Sequence, residues 1–266
     1  MQSLADPKHY LFQGHKLPKC PKTMGQKNNF PTGGFYPLPA AVQGPEHADR
    51  QAYNRPSKPQ NMESSTYIEG VLQLMGQIAP LPEPFQQRIA SQLKAERLPA
   101  KTLMLRPGQT ARRVYYIKKG FIRSYFLDGE GREHTTGFAG ENQLLTSTAS
   151  FLLQQPADEY VQVLAEAELL SISYHQLQSY YADFPQGNLI GRILVERHFA
   201  QAESRSRLLR YKSPQQRYQQ LLCQHPNIEQ LTTTAHIASY LGINRETLSP
   251  TRSKILKTSA KLPVIN

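Results

Sequence analysis

The residues best placed by type and spacing to do chemistry lie near the C-terminal end, in LTTTAHIASYLGINRETLSPTRSKIL (231–256). Ile237, Ala238 and Leu241 fall on one side of a short helix that Thr232 or Thr233 can start as an N-cap. Gly242 supplies the left-handed residue of a tight turn, and Ile243 plugs back into the core. Asn244 is a strong N-cap for a second helix opening Arg245-Glu246-Thr247-Leu248. Two helices joined by about four turn residues with a Gly are a helix-turn-helix, whose second helix presents its N-terminal residues to the major groove of double-stranded DNA. Arg245 can give two hydrogen bonds to guanine, and Glu246 can accept from cytosine N4. Thr233, Thr247 and Ser249 are placed for phosphates. The plain alternative is a helical hairpin with no ligand.

Little else in the chain suggests chemistry. Two cysteines, Cys20 and Cys223, cannot make a disulfide framework, an Fe–S cluster or a Cys-rich zinc site. The eight histidines are scattered, so no metal and no cofactor are expected. His134, on an expected strand, reads as structural or exposed. Arg112-Arg113 precede a strand and could meet an anion or simply carry solvated charge. Arg205, Arg207 and Arg210 are expected on the polar side of a long helix, with DNA-backbone and salt-bridge roles both open. With no Gly-rich phosphate loop, no GxSxG and no obvious carboxylate pair, an enzyme is not expected. The net charge of +11 divides unevenly: +5 in residues 1–61, −2 in 62–185 and +8 in 186–266. A basic C-terminal third beside a mildly acidic middle suits a polyanionic partner, although a solvated basic surface would look the same.

The elements that must position these residues follow from the rest of the 266-residue chain. Residues 1–61 hold 9 of the 20 prolines and no isoleucine, with no helical or strand period. They are read as a disordered Pro-rich extension. Met62 opens the first well-patterned stretch, so it is a candidate internal start; a basic tail that binds DNA or a partner is the rival reading. Tyr67 to Ile78 and Phe85, Ile89 and Leu93 follow helical spacing around the stops Pro80, Pro82 and Pro84. After Pro99, short strands are expected at 101–105, 114–118, 121–127, 133–138, 160–164 and 169–173, with a turn at Gly120 and a hairpin at Asp128-Gly129-Glu130-Gly131. That spacing indicates a small antiparallel barrel or roll, within an α+β chain. From Gly187 to about Tyr211 runs an unbroken helix whose apolar side (Leu189, Ile190, Ile193, Leu194, Phe199, Leu208, Leu209) needs a partner: its own β module or a second copy in a two-fold dimer. The start MQSLADPKHYLFQGHKLPK has no apolar core behind a basic beginning, and no run approaches the roughly 18 apolar residues of a membrane span. The cytoplasm is therefore expected, without a membrane partner.

From Met62 onward the chain resembles bacterial transcription regulators of the cyclic-AMP receptor protein / fumarate-nitrate reductase regulator (CRP/FNR) superfamily. The resemblance rests on the strand-rich module (101–173), ISYHQL leading into FP, the long helix, SPQQRYQQLLCQHPNIEQLT and HIASYLGINRETLS. It implies a cyclic-nucleotide-binding-like β-roll (jelly roll) effector domain at 62–185, a dimerisation helix at 186–211 and a helix-turn-helix (winged helix) domain at 212–266. It further implies a homodimer on a palindromic promoter site, a small-molecule effector, and RNA polymerase as a partner. The chain departs from the pattern twice. Members that bind cyclic nucleotides neutralise the phosphate with an Arg-Ser/Thr pair, where this chain has Ala157 and Asp158, with Ser147 near the place of their Gly-Glu. An acidic residue there repels a phosphate, which argues against cyclic AMP. The second departure is Pro250, where relatives carry a basic residue. Inside a helix it removes a hydrogen bond and costs on the order of 3 kcal/mol. A kinked helix, a shortened one or a crippled DNA reader would each follow, with Arg252 and Lys254 to make up the charge. The last of these leaves a ligand- or protein-binding β-roll module. The tail KTSAKLPVIN is short and polar for a complete wing.

Overall fold

The computed structural model describes residues 64–259. The extension 1–61, the candidate start Met62, Cys20 and the tail from Ala260 lie outside the described residues.

Two helices come first, α1 (Ser64–Gly76) and α2 (Glu83–Gln92), the second opened by the Pro82–Pro84 cluster that ends the first. Strands β1 (Lys94–Leu98), β2 (Leu103–Leu105), β3 (Arg113–Leu127), β4 (Glu133–Ala139) and β5 (Leu144–Leu145) follow, then α3 (Thr148–Leu153) and β6 (Tyr160–Ser173). All pairings are antiparallel, in the order β1-β6-β3-β4, with β2 also on β6 and β5 on β3. The roll is built on two long strands. β3 pairs with β6 from Arg113↔Ser173 to Tyr125↔Tyr160, and register shifts on either side of Lys119 bend the ribbon.

Gly120 is therefore not a turn between two strands, as its type suggested, but a bend within one. Its φ is +115°, and a Cβ there would lie 2.7 Å from the Ala167 backbone, so β3 crosses β6 only because the side chain is missing. The expected strands 160–164 and 169–173 are likewise one element. The intervening Ala165-Glu166-Ala167-Glu168 breaks the apolar run, but backbone pairing of Glu168 with Arg97 and Lys119 carries the strand across. β1, β5 and α3 have too few apolar positions for a period to show. The hairpin at 128–131 forms as its residues dictate. The Asp128 carboxylate meets His134 Nε2 at 2.8 Å and accepts from Arg132 Nε and the Arg132 and Glu130 amides. These partners, His134 foremost, hold it well below the usual carboxylate range. His134 also stacks on Phe126, a structural role.

Inside the roll, Ile117, Ile122, Val163 and Leu169 are fully buried, with Phe151 of α3 and Ala157 closing one end. A second core joins α1 and α2 to α4 (Tyr174–Asp183) and the start of α5 (Pro185–Tyr211), centred on Phe85, Ile89, Tyr180 and Ile190. Ser173 caps α4 in a capping box with Gln176. The 27-residue α5 then leads to α6 (Pro214–Gln224), α7 (Ile228–Leu231), α8 (Thr234–Leu241) and α9 (Arg245–Ser259). Their core is Tyr218, Leu221, Ile228, Ile237, Leu241 and Leu248, with Phe121 of β3 in the same cluster.

The apolar side of α5 divides in two. Ile190, Ile193 and Leu194 pack on α1–α4, and Leu208 is buried near the helical core. Val195, Phe199, Ala202, Ser206 and Leu209 remain exposed, at alternating spacings of four and three that place them on one stripe. Among the described residues no helix is long and apolar enough to cross a membrane.

Candidate nucleic-acid interface

Helix α8 opens on Thr233, whose Oγ1 accepts from the His236 amide at 3.2 Å. It closes on Gly242, left-handed at φ 62°, ψ 44°, so the turn has the local chemistry its residues suggested. The Ile243 amide donates to Ala238 O, tying the turn to α8, and the Thr247 amide donates to Asn244 O, starting α9. Arg217 of α6 donates to the carbonyl of Leu241 and braces the turn from behind.

Leu248 and Thr251 face inward, fully buried or nearly so. Asn244, Arg245, Glu246, Thr247 and Ser249 are all exposed, as one contiguous surface at the helix start. Thr233 is exposed too, its oxygen engaged as the α8 cap. Arg252, by contrast with these residues, is not fully exposed. That guanidinium is half-buried and paired with Glu229 at 2.8 Å; Tyr218 donates to the same carboxylate. Arg252 therefore braces α9 against α6 and α7.

Helix α9 is continuous through Pro250 from Arg245 to Ser259, neither shortened nor broken. Proline leaves the carbonyl of residue 246 without its helical donor. Glu246 and Pro250 are both exposed, so water can serve that carbonyl. On the inner side the Thr251 hydroxyl donates to Thr247 O at 2.7 Å, and buried Leu248 anchors the same turn. No strand follows α9 among the described residues, so a wing is not seen there.

Sequence reasoning missed how the helical part docks on the roll. Ser239 of α8 sits on the outer edge of β4: its Oγ accepts from the Thr135 amide and donates to Glu133 O, both at 2.8 Å. Arg205, expected on the polar side of α5, is instead an internal strut. It lies 3.5 Å over the Tyr240 ring and donates to Tyr240 O at 2.7 Å and to Thr135 O. Arg123, fully buried on β3, pairs with Glu133 at 2.7 Å and with Gln162, and His236 lies 3.9 Å from Glu133. Burial lowers the pKa of His236, with the Arg123 charge adding to it, and burial lowers that of His225. A basic residue inside a long helix gives no sign in sequence of stacking on a ring that lies 35 positions further on.

The phosphate-site region of the roll is equally defined. Ala157 is buried and bonded by its backbone to Gln109 O and Gly108 N, while Asp158 is exposed. Burial pushes the Glu159 carboxyl up, against the hydroxyls of Ser147 and Thr136 that face it. No arginine stands at this position. Arg112 and Arg113 instead line an open cavity of about 410 Å³ together with Thr146 and Ser147. Among the described residues no group of His, Cys, Asp and Glu could hold a metal ion.

The described residues thus form a β-roll joined by one long helix to a helix-turn-helix. Residues 95–184 match the family model described as cyclic nucleotide-binding domain. The CRP-like protein Clp of Xanthomonas campestris pv. campestris and of Xanthomonas oryzae pv. oryzae is 24% identical over 95 residues, 36% of this chain and 41% of the relative. The chain thus spans about two fifths of the length of the curated relatives it matches. Among solved structures, FixK2 from Bradyrhizobium japonicum superposes with a TM-score of 0.56 at 18% identity, covering 65% of this chain and 89% of that one. The c-di-GMP responsive global regulator CLP of Xanthomonas campestris gives 0.52 at 18% identity, over 68% and 94%. A putative regulator of the CRP/FNR family from Eubacterium rectale gives 0.54 at 18%, over 66% and 85%. The chain thus shares its fold with these solved structures, and residues 95–184 are similar to the cyclic nucleotide-binding domain.

Proposed function

We propose that this chain is a cytoplasmic, dimeric DNA-binding transcription regulator, with effector, dimerisation and DNA-reading units at 62–185, 186–211 and 212–266. The observation that carries the reading is the exposed start of α9. Arg245 and Glu246 project from the first turn of a helix that is braced on its other side, within a region of net charge +8. In this reading Arg245 pairs with guanine and Glu246 with cytosine. Asn244, Thr247, Ser249 and the Thr233 hydroxyl hold phosphates. Arg252 serves indirectly, by fixing the pose of α9. The exposed stripe Val195–Phe199–Ala202–Ser206–Leu209 supports a two-fold partner along α5, with a palindromic site to match. A promoter-bound dimer of this kind would meet RNA polymerase. Cyclic AMP is not the effector in this reading, because Ala157 and Asp158 offer its phosphate no cation.

The test is duplex binding as a function of salt. A reader of this kind loses affinity with a log–log slope of about −0.9 per phosphate neutralised while keeping its preference for one sequence. Binding with no sequence preference at any salt would overturn it in favour of a ligand- or protein-binding roll.

A further inference from the structure

The roll cavity of about 410 Å³ has a floor of Met104, Leu105, Leu145 and Val161. Its rim is cationic: Arg112 and Arg113 come from the chain entering β3, not from the segment after α3 that would hold a cyclic phosphate. No Asp or Glu lines it. The two arginines differ in what they have left to give. Arg113 donates to Ser171 Oγ at 2.9 Å and lies 3.9 Å from Glu96, so its charge is already met. Arg112 is exposed and has no ion-pair partner among the described residues; its backbone carbonyl, which accepts from the Tyr174 amide, fixes where it stands. Glu159, which is not among the residues that line the cavity, has its pKa raised by burial against the hydroxyls of Ser147 and Thr136.

An apolar floor with one uncompensated cation at its mouth selects a ligand with an apolar body and a single negative charge. We propose that this cavity binds a small amphipathic monocarboxylate, its carboxylate on Arg112 and its hydrocarbon on Met104 and Leu145. In the regulator reading such a molecule is the effector, and that role rests on the reading; binding itself is measured without DNA. A phosphate monoester carries about −1.5 to −2, more than the rim neutralises, so it fits less well.

Calorimetry on the full chain with decanoate, decanol and decyl phosphate tests this, with thermal melts to show that variants fold. Decanoate should bind most tightly, and Arg112→Gln should weaken it by at least about tenfold while leaving decanol unchanged. Arg112→Lys should retain most of the affinity, since the head group needs a charge more than a fork. Equal binding of decanol and decanoate, tighter binding of decyl phosphate, indifference to Arg112→Gln, or no binding at all would each overturn the proposal. Failure here with sequence-specific DNA binding intact would remove the ligand class and leave the regulator reading standing.

Discussion

Two short regions, residues 140–161 of the roll and helix α9, differ in opposite ways. In residues 140–161 the scaffold is well packed and holds no basic residue: α3, β6 and the buried Ala157 close the roll. In α9 charged side chains are kept on a scaffold that must carry a proline: Arg245 and Glu246 stand exposed at the helix start, and Pro250 sits one turn later without ending the helix. A roll stores its stability in paired strands and a shared core, so one side chain at its end can change without cost to the fold. A surface helix has one buried side, here Leu248 and Thr251 of α9, and that side decides whether an exposed proline can be borne.

The sharpest way to break this contrast is to remove the anchor of α9. Leu248→Ala should destabilise the helical part by about 2–5 kcal/mol through the cavity it leaves. Hydrogen exchange should show α6–α9 opening while β3 and β6 stay protected. Equal loss of protection in the roll would mean that the shared Phe121 core makes the two regions one cooperative unit. Next in size, Pro250→Ala should stabilise α9 by up to about 3 kcal/mol, as denaturant unfolding would measure. No gain would show that the helix has fully adapted to the proline. Arg245→Ala should cost about 1–3 kcal/mol in binding and relax one base position. Equal loss on every sequence would reduce Arg245 to a phosphate contact.

Smaller still is a difference in acid response. His225 and His236 lie in the helical part and have pKa values lowered from 6.5 by burial. Their folded forms resist protons that the unfolded chain accepts, so this stability is complete above about 6.5 and lost as pH falls below it. Asp128, in the roll, is lowered from 3.8 and keeps its contribution until far more acid conditions. Between pH 7 and 5, helix-core protection should fall before sheet protection does.

The helix-turn-helix was legible because its signals are local: an N-cap at Thr233, a left-handed Gly242 and apolar residues three and four apart. The roll was legible as a class but not in its joints. Gly120 reads as a turn in one dimension and becomes a bend only because β6 passes 2.7 Å from where its Cβ would be. The docking of α8 on β4 left no trace in sequence, since Ser239, Glu133 and Arg205 are ordinary polar residues until the chain brings them together. Arg252 is a similar case: its partner Glu229 is visible only in three dimensions.

Selection of binding sites from a random duplex pool, with the purified chain at near-physiological salt, tests the central claim most directly. Recovery of a palindrome with half-sites about one helical turn apart is the predicted result, showing that α9 reads sequence with Pro250 in place and that two copies act together. Recovery of no consensus, persisting after Pro250→Arg, would contradict the account.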